Sequence, residues 1–281
     1  MYPWFDRKGQ LSFLKLTVLV VLFVPGGWTA LDYYFGNLGA RPLTEAIHQT
    51  GLWAIRFLFL SLVVTPARVL LQWPRLILVR RMIGVAAFAY ALAHLILYAA
   101  DQKFDLGKVA TEIALRIYLT IGFIALLGLS ALAVTSTDRM ISRLGSERWQ
   151  RLHQLAYGIA LLGAVHFFLQ QKDDVSEPTI MFGLFAWLMG YRLIAYFKGG
   201  SLPLWSVAGL SVGCAVLTAF GEAFYFWWKI GAPPTRVLEA DLMLTTDIRP
   251  AWFVLAAGLV LTLGRLARPA PKRSRARLRP A

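Results

Sequence analysis

Three histidines stand inside membrane-length apolar stretches: His94 in ALAHLILYAA, and His153 and His166 in RWQRLHQLAYGIALLGAVHFF. A polar, metal-binding ring inside hydrocarbon is costly, so each is a candidate for function. Neutral imidazole ligates haem iron, and helix bundles hold cofactors between facing helices. The chemistry on offer is axial ligation of haem, and the expected activity is that of a membrane cytochrome b that moves electrons. His48 is read differently. It lies in a polar connection beside Gly51 and fits a surface or capping residue. The one cysteine, Cys214, excludes an intrachain disulfide framework, C-x-x-C-H haem attachment and a four-cysteine iron–sulfur site. Any haem is then held non-covalently.

The elements that carry these residues follow from composition. Of 281 residues 58% are hydrophobic and 16% charged, and the mean hydropathy is +0.58, which places the chain among multi-span membrane proteins. The net charge of +14 is dispersed between the apolar segments and in the C-terminal tail. That distribution marks membrane topology and argues against nucleic-acid binding. Apolar segments run from Leu11 to about Leu31, then over 51–64, 82–100, 113–134, 152–169, 179–197, 204–228 and 251–266. The first also resembles a secretory signal peptide, but no convincing small-residue cleavage site follows it, so a retained span is expected. Each segment is bounded by Pro, Gly or charge, and none shows the alternation of a barrel strand. The expected fold is all-α: a polytopic transmembrane helix bundle with six core spans, two C-terminal spans and a basic disordered tail over 267–281. No internal sequence repeat is evident.

Orientation comes from lysine and arginine bias. With the N-terminus inside, eighteen of these residues lie in inner segments and seven in outer ones. The loops over 68–81 and 136–151 decide the bias, so eight spans with both termini cytoplasmic are expected.

Depth then sorts the histidines. His94 is about twelve residues along an outward-running span and His166 about fourteen along another, so both reach the outer half at matching depth. One haem bridged by that pair is geometrically reasonable. His153 lies near the inner face, and the matching positions on the third span are Arg80 and Arg81. It is expected to be an orphan ligand, holding a second haem alone or with a partner that the sequence does not identify. His153 and His166 are thirteen residues apart, a turn of about 220° on an ideal helix, so a tilt, a bulge or haems on adjacent interfaces is needed. Gly158 and Gly163 permit distortion between them. Arg80, Arg81, Arg148 and Arg151 on the inner side, and Arg116 on the outer, are candidate partners of haem propionates or of an anionic donor. Arg56, inside the second span, is expected to snorkel outward, and Glu222 in the seventh is similar. The sequence GLSVG over 209–213 fits a small-residue packing face. No G-x-G-x-x-G is present, so reductant comes from a partner or from quinol.

Three stretches carry a resemblance to a known family: GLWAIRFLFLSLVVTPAR (51–68), RRMIGVAAFAYALAHLILY (80–98) and TSTDRMISRLGSERWQRLHQLAYGIALLGAVHF (135–167). They resemble MsrQ, also called YedZ, the haem-binding membrane subunit of the periplasmic methionine-sulfoxide reductase system, within the ferric-reductase-like transmembrane group. The resemblance covers roughly residues 10–198. It implies a bacterial inner-membrane b-type haem protein that passes electrons to a soluble periplasmic molybdopterin enzyme, where the sulfoxide chemistry takes place. It implies quinol or a cytoplasmic flavin reductase as donor, and FMN as a further cofactor that no residue here places. By motif match His94, His153 and His166 take the haem-ligand roles. The wider group pairs four histidines on two spans, and Arg80 and Arg81 depart from that. The domain division expected is a haem-binding unit over 1–200, two added helices over 201–266 and the tail. Rival readings are a ferric or cupric reductase built on the same bundle, and a non-redox membrane protein with structural histidines.

Overall fold

The computed structural model describes residues 4–5, 9–171, 174–200, 202–243 and 247–267. Helices form nearly all of it, in the order α1 (Phe13–Tyr34), α2 (Pro42–Leu70), α3 (Ile77–Asp101), α4 (Leu106–Leu115), α5 (Ile117–Val134), α6 (Asp138–Leu144), α7 (Ser146–His153), α8 (Leu155–Gln170), α9 (Ser176–Phe197), α10 (Leu204–Ile230), α11 (Pro234–Leu242) and α12 (Pro250–Leu266). Seven helical runs among the described residues are long and apolar enough to cross a membrane, with α7 and α8 counted as one. The protein is an all-α, polytopic membrane bundle. The eighth expected span, α12, has 17 residues, the lower end of what a bilayer needs. It lies antiparallel along α10: Arg249 at its start meets Glu222, and Arg265 near its end donates to the Leu202 carbonyl. The tail from 268 onward lies outside the described residues, as do Arg7, Lys8 and Lys172 of the charge count.

Boundaries differ from the expected ones where polar residues continue a helix. α2 starts at Pro42, nine residues before the apolar run, because Pro fits the first helical turn. His48 is therefore on a helix. The fourth span breaks at Arg116, whose extended backbone separates α4 from α5. The basic loop after α5 holds two short helices. Thr137 caps α6 by accepting from the Met140 N–H, and Gly145 at φ +77° turns the chain into α7. In α1, Pro25 has no N–H to give. Its disturbance is repaired by Tyr90 of α3, whose hydroxyl accepts from Gly26 N–H at 2.7 Å and donates to the Leu22 carbonyl at 2.8 Å.

Two helix pairs make the centre, α2 with α3 and α5 with α8, and α9 closes against α2 and α8. The C-terminal helices pack on the outer flank of α9 through glycines. A Cβ at Gly183 would lie 2.3 Å from Thr218 Oγ1, and one at Gly258 2.2 Å from Ser211 Oγ. Those are the small-residue contacts that seat α10 and α12. Gly209 and Gly213 are not: a Cβ at either would meet nothing, because both turn away from α9 and α12. Nor does Glu222 snorkel. Its side chain is buried and paired with Arg249 at 2.8 Å, and Arg249 also donates to Asp241. Arg56 pairs with Glu177 at 2.5 Å and sits over the Trp53 ring.

Candidate functional site

His94 and His166 meet. Their helices, α3 and α8, run in the same direction from the arginine-rich end, and equal depth brings the two rings to centroids 6.3 Å apart at an interplanar angle of 82°. Two imidazoles bonded to one metal at about 2 Å each have ring centres about 6 Å apart, so this spacing suits a shared six-coordinate iron.

Each ring is held by the neighbouring helix. His94 Nδ1 lies 2.8 Å from the Ile47 carbonyl of α2, and His166 Nδ1 lies 2.7 Å from the Tyr118 carbonyl of α5. A carbonyl only accepts, so Nδ1 carries the proton in both rings and Nε2 is left with its lone pair. That is the tautomer a metal ligand needs, with the acceptor that fixes its orientation. Glycines make the approach possible. A Cβ at Gly51 would lie 2.9 Å from His94 Nδ1, and one at Gly122 2.7 Å from His166 Nδ1.

The rings border a cavity of about 650 Å³ between α2, α3, α5 and α8. Its floor is apolar, with Leu58, Leu126, Leu129 and Ile159. Its mouth, at the end away from the arginine-rich loops, carries Glu45, His48, Lys108, Glu112 and Arg116. The volume falls in the range of cofactor pockets, and the apolar floor with a charged rim suits a flat, amphipathic ligand. These residues fit a haem: two neutral imidazoles for the iron, an apolar slot for the macrocycle, and Lys108 and Arg116 for its carboxylates. Arg116 donates to the Tyr118 hydroxyl at 3.2 Å and pairs with Glu112. The hydroxyl first, and then these neighbouring charges, raise its pKa above the ordinary guanidinium value.

His153 stands elsewhere. It ends α7 at the arginine-rich end, its ring stacked on Trp149 at 3.9 Å, with Nδ1 3.1 Å from the Trp149 carbonyl and Nε2 3.3 Å from Ser136 Oγ. No second histidine faces it among the described residues. Gln154, between α7 and α8, keeps helical dihedrals (φ −68°, ψ −22°), so His153 and His166 stand on one nearly continuous helical run.

The four inner arginines divide. Arg81 pairs with Asp138 at 2.5 Å and Arg151 with Glu147 at 2.6 Å, both exposed, and Arg148 is exposed. Arg80 alone is half-buried, within electrostatic reach of His153, Tyr157 and Arg192. Arg192 is the residue that sequence reasoning passed over. It lies in α9 over the Tyr157 ring and donates to the Leu188 and Leu62 carbonyls at 2.8 and 2.7 Å. An arginine five residues inside a predicted span was the signal for it.

Residues 50–164 match the family described as the ferric reductase like transmembrane component, a range that holds His94 and His153 and stops just short of His166. The chain is 42% identical over 190 residues to the protein-methionine-sulfoxide reductase heme-binding subunit MsrQ of Rhodospirillum rubrum, covering 67% of this chain and 89% of the relative. It is 39% identical to the MsrQ of Caulobacter vibrioides, over 66% of this chain and 92% of that one. For the MsrQ of Herminiimonas arsenicoxydans the figures are 38%, 69% and 90%. No solved structure matches. With nearly the whole of these relatives matched, the chain belongs to the MsrQ family of ferric-reductase-like membrane proteins.

Proposed function

We propose that the chain is the haem-binding membrane subunit of a protein-methionine-sulfoxide reductase system, with His94 and His166 as the two axial ligands of one haem b. The observation that carries this reading is the ring pair itself: 6.3 Å between centroids, both Nδ1 protons given to backbone carbonyls, both rings at one cavity. A haem bound there supplies one-electron transfer, and the sulfoxide chemistry belongs to a soluble partner. The chain's own residues position and insulate. The Ile47 and Tyr118 carbonyls orient the ligands, Leu58, Leu126 and Leu129 exclude water from the slot, and Lys108 and Arg116 face the carboxylates.

The chain sits in the bacterial inner membrane with both termini cytoplasmic. Electrons enter at the arginine-rich end, from quinol or a cytoplasmic flavin reductase, and leave at the cavity mouth to a periplasmic molybdopterin methionine-sulfoxide reductase. His153, with Arg80 beside it, marks the inner stretch of that path. FMN has no residues assigned to it here, and no step depends on it. Residues 1–200 form the haem-binding unit, because every residue lining the cavity belongs to it. The pair α10 and α12 is an addition over 201–266.

The test is spectroscopic. His94→Ala and His166→Ala are each expected to abolish the low-spin haem spectrum of the purified protein while the chain still inserts, since each change makes a span less polar. Retention of the wild-type spectrum in both variants contradicts the ligand assignment.

A further inference from the structure

The two ligand notches repeat. Tyr118 and Gly122 of α5 stand 71 residues after Ile47 and Gly51 of α2, and His166 of α8 stands 72 after His94 of α3. In each notch a carbonyl at position i accepts from the imidazole, and a glycine at i+4 clears space for the ring. The cavity wall follows the same register. Every α5 residue lining it lies 71 positions after an α2 residue that lines it, with Leu58 and Leu129 the deepest pair. On α3 and α8 the match holds from Ala91 with Gly163 to Tyr98 with Gln170. Residue identities differ at most of these positions, which is why no repeat shows in the sequence.

One difference falls inside the notch. Thr50 of α2 is buried, and its hydroxyl is shared between the Ala46 carbonyl at 2.8 Å and the Ile47 carbonyl at 3.0 Å. The Ile47 carbonyl is the one that receives His94 Nδ1–H. The position 71 residues later is Ile121, which has no hydroxyl, so Tyr118 serves His166 without a competitor. A carbonyl already accepting from a hydroxyl is a weaker acceptor for the imidazole proton. The imidazole is then a less basic ligand, and a less basic ligand stabilises oxidised iron less.

We propose that the haem site is one half-site used twice, and that Thr50 makes the halves unequal. In this reading Thr50 is a positioning residue that raises the midpoint potential through the Ile47 carbonyl and His94. The inference rests on His94 and His166 being the ligands, and wild-type protein checks that first: it must show a low-spin haem spectrum that His94→Ala and His166→Ala remove. The midpoint potential is then measured on purified wild type, Thr50→Val and Ile121→Thr. Thr50→Val keeps the side-chain shape, Ile121→Thr removes one methyl group, and both leave the glycines in place. Thr50→Val is expected to lower the potential, Ile121→Thr to raise it, and both to keep haem content at the wild-type level. Any other pattern of shifts, including none in either variant, overturns the role given to Thr50. The repeat has its own arm. Gly51→Ala and Gly122→Ala are each expected to lower haem content several-fold, while Gly158→Ala, where a Cβ meets nothing, leaves it unchanged. Wild-type haem content in either of the first two removes the glycine notch from the account.

Discussion

At the scale of single residues, the protein solves a problem that any intramembrane histidine poses. A neutral imidazole has one N–H and one lone pair, and hydrocarbon satisfies neither. Here the N–H goes to a helix carbonyl, and the two rings, each keeping its Nε2 lone pair, lie 6.3 Å apart between centroids at one cavity. His153 has the Trp149 carbonyl of its own turn at Nδ1 and the Ser136 hydroxyl at Nε2, and so does not require a ligand to be at rest. This separates its expected behaviour from that of the other two. His153→Ala should leave the low-spin haem spectrum present but slow haem reduction by a reductant confined to the arginine-rich side. Stopped-flow measurement on oriented vesicles reads this, and an unchanged rate would make His153 a structural residue. The depth match of His94 and His166 was legible in the sequence, because depth is a count along a helix from a charged end. Gly51 and Gly122 were not legible. Their role depends on which helix lies beside which, and the spacing within one helix carries no such information.

Among the elements, the cavity needs only α2, α3, α5 and α8, with α4 and the start of α9 at its rim. The α10–α12 pair touches that group mainly through α9. Truncation after Gly200 is therefore expected to preserve the haem spectrum while lowering thermal stability, as Gly183 and Trp187 lose their partners. Loss of haem from an inserted, truncated chain would make the last helices part of the cofactor bundle. Arg192 belongs to this scale as well, since it ties α9 to α2 and α8 at once. Interhelical hydrogen bonds in membranes are worth about 0.6–1.7 kcal/mol each, so Arg192→Met should destabilise the bundle by about 1–2 kcal/mol. Unfolding in detergent and denaturant measures it, and an unchanged midpoint would show that the tie carries no stability. Sequence periodicity found every membrane-length segment but misread one packing face. Gly209 and Gly213 have the right spacing, yet the rotation of α10 turns them outward, and rotation is fixed by the partners Thr218 and Ser211 make with α9 and α12.

Across the whole molecule, the loops 71–76 and 135–145 and the start of α10 lie at one end, and the cavity mouth opens at the other. The proposed orientation, drawn from charge bias, has the first end facing the cytoplasm. A reporter fused after Gly200 is expected to read cytoplasm and one placed in the 101–108 loop to read periplasm; the reverse pair of results inverts the path of electrons. The C-terminal tail adds to the bias without deciding it, because the inner loops alone outweigh the outer ones. All of this serves one claim, that a single metal sits between His94 and His166. Electron paramagnetic resonance of the oxidised, purified protein tests it most directly. Two axial imidazoles at 82° give ferric haem a strongly anisotropic low-spin signal, and that signal is predicted for the wild type and its loss for His166→Ala. A dominant high-spin ferric signal in the wild type, the mark of five-coordinate iron, would contradict the shared site.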